Sequence, residues 1–264
     1  MRENCIICGK SEEVLKTFPD SCIDLVVTSP PYDNMRDYKN TDKWDDNSFH
    51  ALVKELFRVL KSGGVIVWNV ADQSINGSES GTSFYQALYF MYCGFKLNDT
   101  MIWEKTDPMP CISNYRYSQV FEYMFVFSKG TPKTFNPIRV PKKSRIGIYY
   151  KSFKCGQNPE DRTEEKMVVG AETKIDGNVW RFACNKNQGA FKHPAAFPYE
   201  LPYRHIKSWT NEGDIVLDPF SGSGTTCLAA RDLRRRYIGI EVNEVYVANS
   251  ILRLKDNKKE GIVV

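Results

Sequence analysis

Two short segments of this chain carry residue types that can do chemistry together. The first is Thr28-Ser29-Pro30-Pro31-Tyr32. Its prolines fix the backbone, which gives the Pro30 carbonyl a defined direction. Ser29 adds a hydroxyl acceptor. Tyr32 adds a ring that stacks on a flat substrate and ends in a polar tip. Two adjacent acceptors can hold both hydrogens of an exocyclic amine. On a nucleobase that nitrogen is a poor nucleophile, because its lone pair is delocalised into the ring. Held by its hydrogens, it is pushed toward a tetrahedral form with the lone pair facing an electrophile. Orientation and electrostatics then supply the catalysis, and no strong base is needed. A base in a duplex must first leave the stack, and Tyr32 would hold it once flipped. The same residues would also make a rigid turn around a packed tyrosine.

The second segment is Asp218-Pro219-Phe220-Ser221-Gly222-Ser223-Gly224-Thr225-Thr226. It follows the apolar run Ile215-Val216-Leu217 and leads into a helical pattern. Glycines let the backbone approach a ligand closely, and free amides at a helix start favour an anionic group. Glu241 ends the next apolar run, 23 positions after Asp218. A carboxylate there can accept both ribose hydroxyls of a nucleoside cofactor. No Gly-Lys-Ser/Thr follows the glycines, so this is not a P-loop. The third glycine of G-x-G-x-x-G is missing, which makes a poor nicotinamide site. A cofactor with ribose and a carboxylate but no pyrophosphate remains, which describes S-adenosylmethionine. A plain glycine-rich turn is the alternative.

These segments need a scaffold. The N-terminal ENCIIC reads as a short strand, with Cys5 and Cys8 as buried strand residues rather than metal ligands, since no second ligand pair accompanies them. Ser11 is expected to cap a helix with Val14, Leu15 and Phe18 on its apolar face. Ile23–Val27 reads as a buried strand. Asp46–Leu60 reads as an amphipathic helix stopped by Gly63-Gly64, and Val65–Trp68 as the next strand. A helix over 84–93 and strands over 100–103 and 121–127 follow. Prolines 132, 137 and 141 then break the pattern until about 178. At the end come strand 215–218, helix 225–235, strand 237–241 and helix 243–254. Strand–helix alternation with short connections implies a parallel sheet covered by helices.

Composition narrows the class. The 264 residues are 42% hydrophobic and 26% charged, near the globular average. No run approaches the ~20 apolar residues of a membrane span. The first residues carry charges where a signal peptide needs its apolar segment, so a cytoplasmic protein is expected. The net charge of +4 is uneven. Lys129–Lys154 holds eight basic residues and no acid, which leaves −4 for the rest. Tyr149, Tyr150 and Phe153 are interleaved there. Such a block suits DNA phosphates, with Arg139 and Arg145 able to read guanine and Lys142 and Lys143 adding charge. A solvated basic loop would look the same. Asp33–Lys43 reads as a loop, closing over a base or fixed on the surface.

Together the two segments resemble the S-adenosylmethionine-dependent DNA amino-methyltransferases. That family's catalytic tetrapeptide is Asp, Asn or Ser, then Pro-Pro, then an aromatic, here Ser29-Pro30-Pro31-Tyr32. Its cofactor loop resembles Asp218 to Thr226, with Glu241 as the acidic strand end. The catalytic motif comes first, which resembles the permuted beta class. Lys61–Gly64, Ile102–Lys105 and the block 114–128 are weaker matches, as is His193-Pro194-Ala195-Ala196-Phe197-Pro198, the segment leading into the cofactor site. The resemblance therefore adds His193 and Pro194 to the cofactor side, although a packing or capping role suits His193 better. Many relatives have Gly-Asp where this chain has Gly9-Lys10, and Lys10 cannot make the acidic adenine contact.

The resemblance implies an α/β, Rossmann-like methyltransferase sheet, mostly parallel, with helices on both faces, permuted motif order and a small inserted target-recognition region. Residues 1–130 would form the catalytic half, 131–177 the target recognition region and 178–264 the cofactor half. It implies methyl transfer to DNA, at cytosine N4 by the Ser form of the tetrapeptide, with adenine N6 as the alternative. An RNA methyltransferase or a non-catalytic DNA-binding relative are the other readings. Double-stranded DNA is the expected partner, no metal is expected, and analogy with beta-class relatives implies a homodimer.

Overall fold

A computed structural model describes residues 1–31, 44–108, 115–144, 146–147, 149–153, 165–184 and 197–256, with backbone alone for 149–153 and 165–168. Tyr32, Asp33–Lys43, Arg145, His193 and Pro194 lie outside the described residues.

The chain divides into two compact units, Met1–Asn136 with Asn178–Val264, and Pro137–Gly177. In the larger unit the strands are β1 (Cys5–Cys8), β2 (Ile23–Thr28), β3 (Leu60–Val70), the hairpin β4 (Ser74–Ile75) and β5 (Ser78–Glu79), β6 (Lys96–Lys105) and β7 (Phe121–Ser128). The smaller unit holds β8 (Arg139–Pro141), β9 (Tyr149–Phe153), β10 (Glu165–Val169) and β11 (Thr173–Ile175). The larger unit resumes with β12 (Val179–Phe182), β13 (Ile215–Asp218) and β14 (Arg236–Glu241). Its helices are α1 (Ser11–Val14), α2 (Asp46–Val59), α3 (Thr82–Tyr92), α4 (Glu200–Trp209), α5 (Thr225–Asp232) and α6 (Glu244–Lys255).

Eight strands form one sheet in the order β1-β14-β13-β2-β3-β7-β6-β12. Every neighbouring pair is parallel except those of β7, which runs antiparallel to β3 and β6. The expected mostly parallel sheet is present. One face buries Val26, Ile66, Trp68, Phe127, Leu217 and Ile238 against Leu15, Phe49, Leu52, Leu56 and Phe90, so the 3-10 turn Leu15–Thr17 that follows α1 covers it together with α2 and α3. Burying each such side chain contributes about 1.5–3 kcal/mol. Trp68 also needs a partner for its indole N–H, and Gln86 Oε1 accepts at 2.8 Å. On the other face His205 of α4 approaches Met124 of β7, Nε2 to Sδ 3.4 Å.

In the smaller unit β9 pairs antiparallel with β10, and β8 antiparallel with β11. Arg139 is bonded inside this unit, Nε to Thr173 Oγ1 at 2.9 Å.

Three sequence expectations need correction. Ser11 is not a cap. Lys10 holds the N-cap position, and the Ser11 hydroxyl donates to the Pro219 carbonyl. Gly63-Gly64 do not stop α2, which ends at Val59. They lie within β3, where Gly63 takes φ +77° and a Cβ would sit 2.9 Å from Lys133 Cβ. Cys5 is half-buried and Cys8 exposed, because β1 is an edge strand of the sheet. No helix among the described residues is long and apolar enough to cross a membrane, and no described cluster of His, Cys, Asp or Glu could hold a metal.

Candidate active site at the strand switch point

β2 and β13 lie side by side and parallel, with Leu217 in register with Val26. From β2 the chain passes through α2 to β3 on one side, and from β13 through α5 to β14 on the other. The strand order therefore reverses between them, and ligands bind at the carboxyl ends of such a pair. Both chemistry-bearing segments leave from those ends. Ser29 and Pro31 are half-buried and Pro30 is buried.

A hydrogen bond joins the two segments. Thr28 Oγ1, at the end of β2, donates to Asp218 Oδ1 at the end of β13, 2.7 Å away. Phe220 N donates to the same oxygen at 3.0 Å. Thr226 Oγ1 returns from α5 to the Val27 carbonyl at 3.3 Å. Burial pushes the Asp218 carboxyl up to about 6, against the lowering effect of its hydrogen bonds from Thr28, Thr226 and Phe220.

The loop after Asp218 has a backbone that could approach a ligand closely. Gly222 and Gly224 take φ +50° and +79°, the left-handed region that glycine adopts without strain. Gly224 N donates to Ser221 O at 2.7 Å, closing the turn into α5. Glu241 is pinned by two amides, Gly222 N to Oε2 and Asn243 N to Oε1, both 2.9 Å. Burial raises its pKa and those amide bonds lower it. Each carboxylate oxygen has a second lone pair, so the group can still accept ribose hydroxyls. Gly9 N donates to the Glu241 carbonyl at 3.0 Å, which sets Lys10 next to this strand end.

Several supporting residues escaped the sequence reading. Ser250 Oγ donates to the Gly222 carbonyl at 2.6 Å. Arg253 is buried, and its Nη1 donates to Ser223 O at 3.0 Å and Thr225 Oγ1 at 3.1 Å. Gly239 lies under the loop, where a Cβ would come within 2.9 Å of Ser221 Oγ and 2.5 Å of Ile6 Cδ1. Trp44 meets Phe220 edge-on, with centroids 5.0 Å apart. An arginine in the last helix was the one available signal, since a charged residue buried on a helix face needs a defined set of acceptors.

Ser221 Oγ is buried without a hydrogen-bond partner. An orphaned hydroxyl in a glycine-rich turn, beside a pinned carboxylate, fits a cofactor that brings its own polar groups. Donors at Ser221 and the loop amides, with Glu241 as acceptor, match an amino acid joined to a nucleoside. Lys129 belongs elsewhere. Its Nζ donates to the Phe57 and Leu60 carbonyls at 2.6 and 2.9 Å, clipping the end of α2.

The family N6_N4_Mtase, described as DNA methylase, matches residues 23–252. The orphan methyltransferase M.BamHII of Bacillus amyloliquefaciens is 44% identical over 248 residues, covering 90% of each chain. The type II methyltransferase M.HpaI of Haemophilus parainfluenzae is 33% identical, covering 94% of this chain and 73% of its own. Among solved structures, the PvuII DNA methyltransferase (cytosine-N4-specific) superposes with TM-score 0.69 at 23% identity, covering 97% and 87% of the two chains. The M1.HpyAVI-SAM complex superposes with TM-score 0.65 at 24% identity, covering 96% and 99%.

Proposed function

We propose, from the premise that this chain belongs to the DNA methylase family, that its target is the N4 amine of a cytosine flipped out of duplex DNA. The chain is a DNA methyltransferase, and its cofactor is S-adenosylmethionine. The single observation that supports the site is the Thr28–Asp218 hydrogen bond, 2.7 Å, which ties the amine-handling loop to the cofactor loop.

The cofactor supplies an electrophilic methyl group on a sulfonium. Ser221, the loop amides and Asp218 to Thr226 would hold its amino-acid part, and Glu241 its ribose hydroxyls. Ser29 Oγ and the Pro30 carbonyl accept the two amine hydrogens, and Tyr32 stacks on the flipped base. The amine nitrogen is turned so that its lone pair faces the methyl, and its surplus proton leaves after transfer. His193 and Pro194 lead into the cofactor side. The region 131–177 takes the part of target recognition, with Arg139, Lys142, Lys143 and Arg145 on the DNA. The homodimer is a separate part of this reading, and sedimentation at several protein concentrations tests it.

Cytosine is preferred over adenine N6 because the first catalytic residue is Ser29, the form most often associated with cytosine N4. The test is nucleoside analysis of DNA methylated by the purified protein. N4-methylcytosine is the expected product. N6-methyladenine in its place would assign the other amine and leave the rest of the site standing.

A further inference from the structure

A helix that lies on a sheet is expected to be apolar toward the sheet and polar toward water. α3 departs from that pattern. Its inner side chains Ser83, Gln86, Ala87 and Phe90 are buried, with Phe90 stacked on Phe127 of β7, centroids 4.6 Å apart. Its outer side is apolar as well. Phe84, Tyr85, Leu88, Met91 and Tyr92 are all exposed, Leu88 to 66% and Tyr92 to 85%. No residue of α3 is charged. At helical spacing these five side chains fall within an arc of about 120°. They form one continuous stripe rather than scattered single exposures.

The stripe is large for a surface left in water. An aromatic side chain offers about 150–250 Å², so at their exposures the five present roughly 600 Å². Patches beyond a few hundred Å² mark contact with another molecule. A stable protein pair buries about 800 Å² on each partner, and the stripe with a polar rim reaches that size. The Tyr85 hydroxyl is already bonded, 2.6 Å from His50 Nε2. Its ring can therefore be covered without stranding a polar atom.

We propose that this stripe is the interface between two copies of the chain, packed α3 against α3 around a two-fold axis. This rests on the homodimer reading of the proposed function and deepens it by naming the surface. A second copy fits better than a partner recognised by charge, because the helix offers no charge to pair. The order of residues also suits its own image. Leu88 is central, with Phe84 one turn before it and Tyr92 one turn after. In an antiparallel two-fold pair Leu88 meets Leu88 of the partner subunit. Phe84 then meets Tyr92 of the partner subunit, ring against ring. A contact of this kind is self-complementary, so it closes at two copies.

Sedimentation velocity over a range of protein concentrations tests the surface, using wild type, Leu88→Glu, Tyr92→Lys and a control, Leu252→Glu. Leu252 is also an exposed apolar residue, but on α6. Wild type and control should dimerise alike. Leu88→Glu and Tyr92→Lys should each weaken dimerisation at least about 100-fold. Binding of S-adenosylmethionine per chain should be unchanged, which reports an intact fold. Tyr92→Lys, at the more exposed end, reads the same contact should Leu88→Glu fail to bind cofactor. A wild-type dimer that neither substitution weakens would overturn this surface and leave the homodimer standing elsewhere. A wild type that stays monomeric at every concentration would overturn both, and would leave the stripe to a different protein. Methyl transfer to DNA, measured on the same samples, tests the activity independently of either.

Discussion

At the residue scale, the site runs on two buried groups held in states that water would not favour. Asp218 is an acid whose folded pKa, about 6, lies above the ordinary 3.8. Folding therefore favours its protonated form. The stabilisation is complete below pH 3.8 and is lost as pH rises through about 6. Relative to Asp218→Asn, wild type should lose about 3 kcal/mol across that window, read from urea unfolding at several pH values. Ser221 is the second case. Its orphaned hydroxyl costs roughly 1–3 kcal/mol in the free protein. Ser221→Ala should raise the melting temperature of the free protein and weaken S-adenosylmethionine binding. Calorimetric titration beside a thermal melt checks both signs. A variant that loses stability and keeps affinity would refute this role.

At the element scale, α4 couples the sheet to pH in the opposite sense. His205 is fully buried against Met124 and Trp180, and burial, with the Arg204 charge adding to it, pushes its pKa down to about 3. The neutral ring is the folded form. Its stabilisation is present above pH 6.5 and is lost as pH falls toward 3. Against His205→Gln, wild type should lose about 5 kcal/mol over that range, measured in urea.

Sequence pattern located some elements far better than others. β13 was readable to the residue, because four apolar-to-acidic positions end at Asp-Pro and then glycines. α3 and α6 emerged within a few residues for the same reason, a clear helical period with a clear stop. α4 was missed because Pro202 sits in its first turn, although its buried positions 201, 202, 205, 206 and 209 follow a helical period. The strands of the smaller unit were missed because they are three to five residues long and lack a strict alternation. In the site, residue types exposed the loop glycines and Glu241. The Thr28–Asp218 bond spans 190 positions, and only strand order brings such partners together.

At the scale of the whole molecule, the modest net charge of +4 hides a basic block whose members do different work. Lys129 is consumed in tying α2 to β3, and Arg139 bonds within its own unit. Lys142, Lys143 and Arg145 stand beside Arg139 as the proposed DNA contacts. Replacing all three with alanine should reduce the slope of log K against log salt by roughly 0.9 for each phosphate they cease to neutralise. Filter binding to one duplex at four salt concentrations reads that slope. An unchanged slope would move the DNA interface elsewhere.

The central claim is that the loop after β2 holds an amine while the loop after β13 holds the methyl donor, joined at Thr28–Asp218. Single-turnover methyl transfer with Ser29→Ala, beside calorimetric titration of S-adenosylmethionine, tests it most directly. The transfer rate should fall on the order of 10²-fold with cofactor affinity unchanged. A variant that transfers at the wild-type rate, or one that loses the cofactor in step with the rate, would contradict the division of labour between the two loops.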